Sequence, residues 1–231
     1  MQAMERITTE ALSQLRLLQL VSPSLPVGAF TYSQGIEWAV EAGWIQNADD
    51  LHAWLRELIA GNLAQLEIPV LARLYQACER ADREGLHHWS RFLLASRETA
   101  ELRSEERQRG RALAGLLVNL QVPRARDWHA ELSRCQTSCF ALACAAWEIP
   151  LRDAALGYAW SWLENLLLAA VKLIPLGQTA GQQLLHRLSA DLPGAVAQGL
   201  TLEDDAIGAS TPALAIASSL YETQYTRLFR S

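Results

Sequence analysis

Residues Asn47 to Gln65 read NADDLHAWLRELIAGNLAQ. Leu51, Trp54, Leu55, Leu58 and Ile59 stand at i, i+3, i+4, i+7 and i+8, which lays one apolar face along an α-helix. Asn47 precedes the run and suits the N-cap, where its side chain accepts an orphan backbone N–H. The same grammar extends outward on both sides. Upstream, Gly43 suits the C-terminal cap of a helix carrying Ile36, Trp38, Ala39 and Val40. The T-x-x-Q form of Thr31 to Gln34 predicts that this helix starts with a capping box. Ser22 to Phe30, SPSLPVGAF, has two prolines and a glycine and reads as a structured loop. Before it, Thr8 and Thr9 are candidate caps for an apolar-rich run to Val21.

Downstream, Pro69 suits the first turn of a helix to about Ala81. A short helix is expected near 86–95, and a long one over Glu98 to Leu120, ending before Pro123. Asp127 to Trp147 reads as one helix stopped by Pro150, and Leu151 to Leu173 as another stopped by Pro175. Gly177 to Ala190 and Pro212 to Tyr225 complete the series. Strand alternation with hairpin turns is absent. The expected fold is all-α: residues 1–231 form a single-domain bundle of about ten helices with short connections.

Composition agrees. Among 231 residues there are 40 Leu and 36 Ala against 13 Gly, a balance that favours helix. The net charge of -5 and a pI near 5.6 argue against a nucleic-acid partner. Glu5, Arg6, Glu10 and Arg16 interrupt any apolar leader. Leu17 to Ile36 carries no charge, but Pro23, Pro26 and Gly28 make it a poor membrane span. A cytoplasmic protein without membrane association is expected. Residues 49–111 hold 21 charged side chains and residues 135–202 hold seven. The helices from Cys135 to Leu188 therefore read as the centre of the core or an oligomer contact. Trp147, Trp160 and Trp162 lie in this region, where burial is the default reading.

Motifs for chemistry are scarce. There is no G-x-x-x-x-G-K-[ST] phosphate loop, G-x-G-x-x-G turn, H-E-x-x-H pair or G-x-S-x-G elbow. Cys135 and Cys139, at i and i+4, read as buried small hydrophobes or as soft-metal ligands. Glu203-Asp204-Asp205 reads as a helix cap rather than a hard-cation site. Lys172 suits a helix C-terminus. Glu98, Glu101, Glu105 and Glu106 alternate with Arg97, Arg103, Arg107, Arg109 and Arg111. That pattern suggests a solvated, salt-bridged helix or a partner-docking face. The chain closes on YETQYTRLFRS, Tyr221 to Ser231, whose aromatic and Arg residues suggest a tail that docks on a partner or packs on its own domain.

Four separated stretches stand out: LLQLVSPSLPVGAFTYSQGIEWAVEAGWI (Leu17 to Ile45), ETAELRSEERQRGRAL (Glu98 to Leu113), the region of WLEN and KLIPLGQTAGQ (Trp162 to Gln182), and the closing ETQYTRLFRS. Together they resemble the UreF family of urease accessory proteins over nearly the whole chain. Ala29 stands where the pattern has a second Gly, and Tyr221 where His often precedes Glu. The resemblance implies an all-helical homodimer without catalytic activity. It implies a scaffold or chaperone for urease maturation and nickel insertion, with UreD/UreH, the GTPase UreG and apo-urease as partners. Nickel would be delivered to urease, with no cofactor or metal held tightly here. The tail residues Tyr225, Arg227, Leu228, Phe229 and Arg230 would bind UreD/UreH. Tyr32, Ser33 and Glu37, with Glu98, Arg103, Glu106 and Arg109, would belong to a partner or dimer surface. Two alternatives stay open. One is activation of the GTPase by an arginine supplied in trans, with Arg103, Arg109 and Arg230 as candidates. The other is nickel binding by Cys135, Cys139 and His129.

Overall fold

A computed structural model describes residues 2–209 and 211–230. Among them are twelve α-helices and no strand. They are α1 (Gln2–Val21), α2 (Ile36–Glu41), α3 (Ala48–Leu58), α4 (Ile68–Glu79), α5 (Arg83–Ala95) and α6 (Ala100–Asn119), followed by α7 (His129–Leu132), α8 (Gln136–Ala146), α9 (Leu151–Leu173), α10 (Gly177–Ser189), α11 (Leu192–Thr201) and α12 (Pro212–Tyr221). The expected all-α class holds.

The sequence QTSCFALAC makes α8 the axis of the core. Every residue from Gln136 to Cys144 is buried, because small and apolar side chains cover all its faces. α4 packs along it, and α6 and α9 flank it. α5 lies on α4, α10 on α9 and α3, α1 on α9, and α12 on α2. The low-charge half thus supplies α8, but α4 from the charge-rich half is equally central: nine of its residues are buried. Trp162 is buried as expected, whereas Trp160 keeps 37% of its surface exposed.

Several boundaries differ from the sequence reading for identifiable reasons. α1 is already helical from Gln2, so Thr8 and Thr9 do not start it, and their side chains lie outside the described residues. No capping box forms at Thr31. Ala29–Thr31 makes one 3-10 turn, then Gln34 (φ 50) and Gly35 (φ 82) both adopt left-handed conformations before α2 begins at Ile36. Gly28 (φ 71) supplies the other positive φ, so Ala29 occupies a position that needs no glycine.

Asn47 caps α3 as expected, accepting from the Asp49 and Asp50 amides. The chain then runs without a break into α4 through a π-helical stretch, Ile59–Glu67. Pro69 has no N–H for the Gln65 carbonyl four residues back. The Gly208 amide takes that carbonyl instead, at 3.0 Å. Asp82 and Thr99 cap α5 and α6 through bonds to the Gly85 and Leu102 amides. Asp127 to Trp147 is not one helix. It breaks after Leu132, and Cys135 becomes the extended N-cap residue of α8. α12 stops at Tyr221, four residues short of Tyr225.

Gly110 explains the close crossing of α6 and the start of α8. A Cβ there would lie 3.0 Å from the backbone N and C of Cys135 and 3.1 Å from the Gln136 N. Backbone atoms cannot rotate away. Gly110→Ala should therefore lower stability by about 1–3 kcal/mol, despite a helix-propensity gain of about 1 kcal/mol. Urea unfolding measures the change, and a stabilised variant would contradict this packing.

Candidate functional site

The inner face of α6 carries charge into the core. Glu105 and Glu106 are buried, and Arg109 is half-buried. Arg97, just before the helix, bridges two carboxylates: Glu67 at the end of the π stretch and Glu106, the latter at 2.8 Å. Arg109 pairs with Glu105 at 2.8 Å. The Tyr158 hydroxyl from α9 donates to Glu67 Oε2 at 2.9 Å. From the start of α8, the Thr137 amide donates to Glu106 Oε1 at 3.2 Å, and its hydroxyl and the Cys135 thiol donate there at 3.4 Å. Burial alone would raise the Glu106 carboxyl. Arg97, then Arg109, outweigh it and hold the group below the ordinary carboxylate range. Burial likewise opposes the Arg97 charge, but Glu67 and Glu106 hold its guanidinium protonated.

This network meets the loop between α1 and α2. Gln34 Nε2 donates to Glu105 Oε1 at 3.0 Å, and Trp162 Nε1 donates to Gln34 Oε1 at 3.3 Å. The left-handed Gln34-Gly35 turn aims that amide inward. A cavity of about 30 Å³ remains between loop and network, lined by Leu25, Val27, Gln34, Glu67, Arg97 and Glu106 among others. It has room for a water molecule or two.

The C-terminal tail is held on the other side of α2. Glu37 accepts the Leu228 amide at 2.6 Å, the Phe229 amide at 2.9 Å and the Tyr221 hydroxyl at 2.9 Å. The single Tyr221 proton is shared between Glu37 and the Phe229 carbonyl, 2.6 Å away, and burial, then Glu37, push its phenol pKa up. The Arg230 amide donates to the Thr31 carbonyl at 2.8 Å. Arg227 pairs with Glu101 at 2.6 Å and lies over the Tyr221 ring at 4.8 Å. Lys172, in the last turn of α9 as expected, sits 5.6 Å from the Phe229 ring.

The structure redistributes the residues expected at a surface. Tyr32, Ser33, Glu37 and Glu106 are buried, and Glu98 alone of the expected carboxylates is exposed. Arg103 is half-buried and donates to the Arg97 carbonyl at 2.5 Å. The helix read as solvated instead turns three acid–base partners inward, because Glu105, Glu106 and Arg109 share the face of Leu102, Gly110 and Leu113. In the tail, Phe229 is buried while Tyr225 and Leu228 face solvent. Glu67, Thr137 and Tyr158 were not singled out by sequence, and Arg97 figured there only in the charge pattern of a solvated or docking helix. A signal existed for Glu67, a lone carboxylate inside the apolar run Leu63 to Leu71.

Cys135 is not on a helix face with Cys139, but both are buried, and burial pushes both thiols well up. Cys139 donates to the Leu132 carbonyl at 3.1 Å, while His129 is exposed. Among the described residues no group of three or more His, Cys, Asp or Glu is arranged to hold a metal ion. The acidic triplet forms a 3-10 turn in which Asp204 pairs with Arg73 at 2.7 Å, rather than capping through its side chain. No helix among these residues is long and apolar enough to cross a membrane.

Fold and site together define an all-α protein whose interior ion pairs fasten a loop, and whose Glu37 carboxylate fastens the tail. The UreF family model matches residues 45–189. A urease accessory protein UreF of Pseudomonas putida is 59% identical over 220 residues, covering 95% of this chain and 98% of the relative. Those of Alcanivorax borkumensis and Citrobacter koseri are 56% and 48% identical, covering 94% and 96% of this chain and 97% and 100% of theirs. The chain belongs to the UreF family.

Proposed function

We propose that the chain is a non-catalytic accessory scaffold for urease maturation, acting in the cytoplasm as a homodimer. Its partners are UreD/UreH, the GTPase UreG and apo-urease, and it serves nickel insertion without holding nickel tightly itself. The named role of its relatives supports the urease connection. The observation that carries the scaffold reading is the tail. Its backbone is fixed by Glu37 and Thr31, Phe229 is buried as an anchor, and Tyr225 and Leu228 are displayed to solvent. A pre-ordered segment loses less entropy on docking than a free one. Exposed aromatic and aliphatic side chains on such a segment suit the centre of an interface.

The GTPase-activating alternative loses one candidate, since the Arg109 guanidinium is spent on Glu105 inside the fold. The nickel-holding alternative has buried, protonated thiols in place of thiolates.

Tyr225→Ala/Leu228→Ala tests the scaffold reading without removing the anchor. Neither side chain packs in the core, so thermal unfolding should stay within a degree or two of the parent, as expected of surface changes of about 0.5 kcal/mol or less. Capture of UreD/UreH, read by co-purification, should fall sharply, and urease activation with it. Undiminished capture and activation would remove the tail from the docking role.

A further inference from the structure

Arg103, Arg107 and Arg111 stand four residues apart on α6. Each step turns the helix by roughly 40°, so the three occupy one side of it over about 12 Å. Arg107 and Arg111 are exposed. Arg111 Nε donates back to the Arg107 carbonyl at 3.3 Å, which lays its guanidinium along the helix toward Arg107. The tail brings a further cation to the same helix: Arg230 Nη1 donates to Gln108 Oε1 at 3.2 Å.

The carboxylates that would neutralise this strip are committed elsewhere. Glu101 pairs with Arg227, Glu105 with Arg109 and Glu106 with Arg97. Among the described residues, Arg103, Arg107, Arg111 and Arg230 form no ion pair. Three like charges are therefore gathered on one strip of α6, with Arg230 bonded to the same helix, in a protein whose net charge is -5. Their mutual repulsion disfavours the isolated state and is relieved by an anionic partner.

We propose that the Arg103–Arg107–Arg111 strip of α6 docks a carboxylate-rich protein surface carried by another component of the urease-maturation assembly. The proposal rests on the scaffold reading for the identity of the assembly. Charge complementarity selects the occupant. Guanidinium forks pair bidentately with Asp and Glu side chains, and a strip about 12 Å long matches a few turns of an acidic helix or loop. A duplex or a bilayer would extend past the strip. It would then meet Glu98 at one end of α6 and an acidic protein beyond.

The test uses the full-length Arg107→Glu/Arg111→Glu chain beside the parent. UreD/UreH, UreG and apo-urease are presented to each, singly and together, between roughly 0.05 and 0.5 M salt. Both side chains are exposed, so unfolding midpoints should match, and Arg107→Gln/Arg111→Gln provides a milder variant. For one component the reversal should weaken capture by roughly tenfold or more at low salt and flatten its salt dependence. The glutamine pair should fall between, and Lys or Arg placed on that component's acidic surface should restore binding to the reversed chain. Equal capture by parent and reversed chain overturns the strip while leaving the scaffold reading intact. A parent that captures no component overturns both. Charge-dependent capture of duplex DNA or phosphatidylserine vesicles, with protein capture unaltered, also overturns the proposal.

Discussion

Arg97→Ala should cost about 3–5 kcal/mol of unfolding free energy, enough to leave a marginal chain largely unfolded. The size follows from what the substitution leaves behind. Glu67 and Glu106 are buried to within a few per cent, and Arg97 is the cation between them. Removing it leaves two like charges facing each other away from water. Arg109 still faces Glu106 but is engaged with Glu105, and the remaining donors, Tyr158 and Thr137, are neutral and do not cancel charge. Urea unfolding of parent and variant measures the loss. Arg97→Lys should fare better than alanine, yet below the parent, because an ammonium lacks the fork that spans both carboxylates. A loss under about 1 kcal/mol would mean that water already reaches the pair and screens it.

The same network sets a pH dependence. Glu106 has a folded pKa below its unfolded value, so its contribution is present above the unfolded carboxylate pKa, about 4.3. That contribution is lost as pH falls toward the lower folded value. Parent stability should therefore drop below about pH 4, and the drop should be shallower in Glu106→Gln, which has no proton to gain.

Helices were legible wherever an apolar face repeated locally. Leu151–Leu173 was read to the residue, and α3 was read through its cap at Asn47. What sequence periodicity missed came from contacts distant in the chain. The Gln34-Gly35 turn is fixed by Glu105 and Trp162, 71 and 128 residues away, and local capping-box grammar cannot register either. The α6 charges illustrate the same limit. Their i,i+4 spacing is equally suited to water and to a buried network. The choice was made by Glu67 and Arg97, whose pairing spans 30 residues. The Glu105–Arg109 pair was legible from spacing, and only its burial was not. In the tail, residue types pointed to docking, but the split between Phe229 inward and Tyr225 and Leu228 outward depends on where Glu37 lies.

That dependence makes Glu37→Ala the second large effect. Glu37 accepts two successive tail amides and the Tyr221 hydroxyl, so its loss strands both amides, while Tyr221 keeps the Phe229 carbonyl at 2.6 Å. Bonds to a carboxylate contribute about 1.5–3 kcal/mol each, so losing the two amide bonds to one shared acceptor should cost about 3–5 kcal/mol. The other contacts that hold the segment are the Arg230 amide on Thr31 and its guanidinium on Gln108, Arg227 on Glu101 and over Tyr221, Tyr221 on the Phe229 carbonyl, and the Phe229 ring in its socket. The tail should therefore detach while the α4–α8 core stays folded, since the bonds that hold the tail go to α2, Thr31 and α6. Amide exchange at Leu228 and Phe229 should accelerate by more than a hundredfold, as a loss of about 3 kcal/mol requires. Trypsin should cut after Arg227, whose guanidinium is no longer held between Glu101 and Tyr221. Glu37→Gln should retain partial protection, since its amide keeps one acceptor oxygen but turns N–H groups toward the other donors. Unchanged protection in Glu37→Ala would place the hold on the tail in Phe229 packing. Phe229→Ala would then become the variant that releases it, and Glu37 would be a passive neighbour of the backbone it touches.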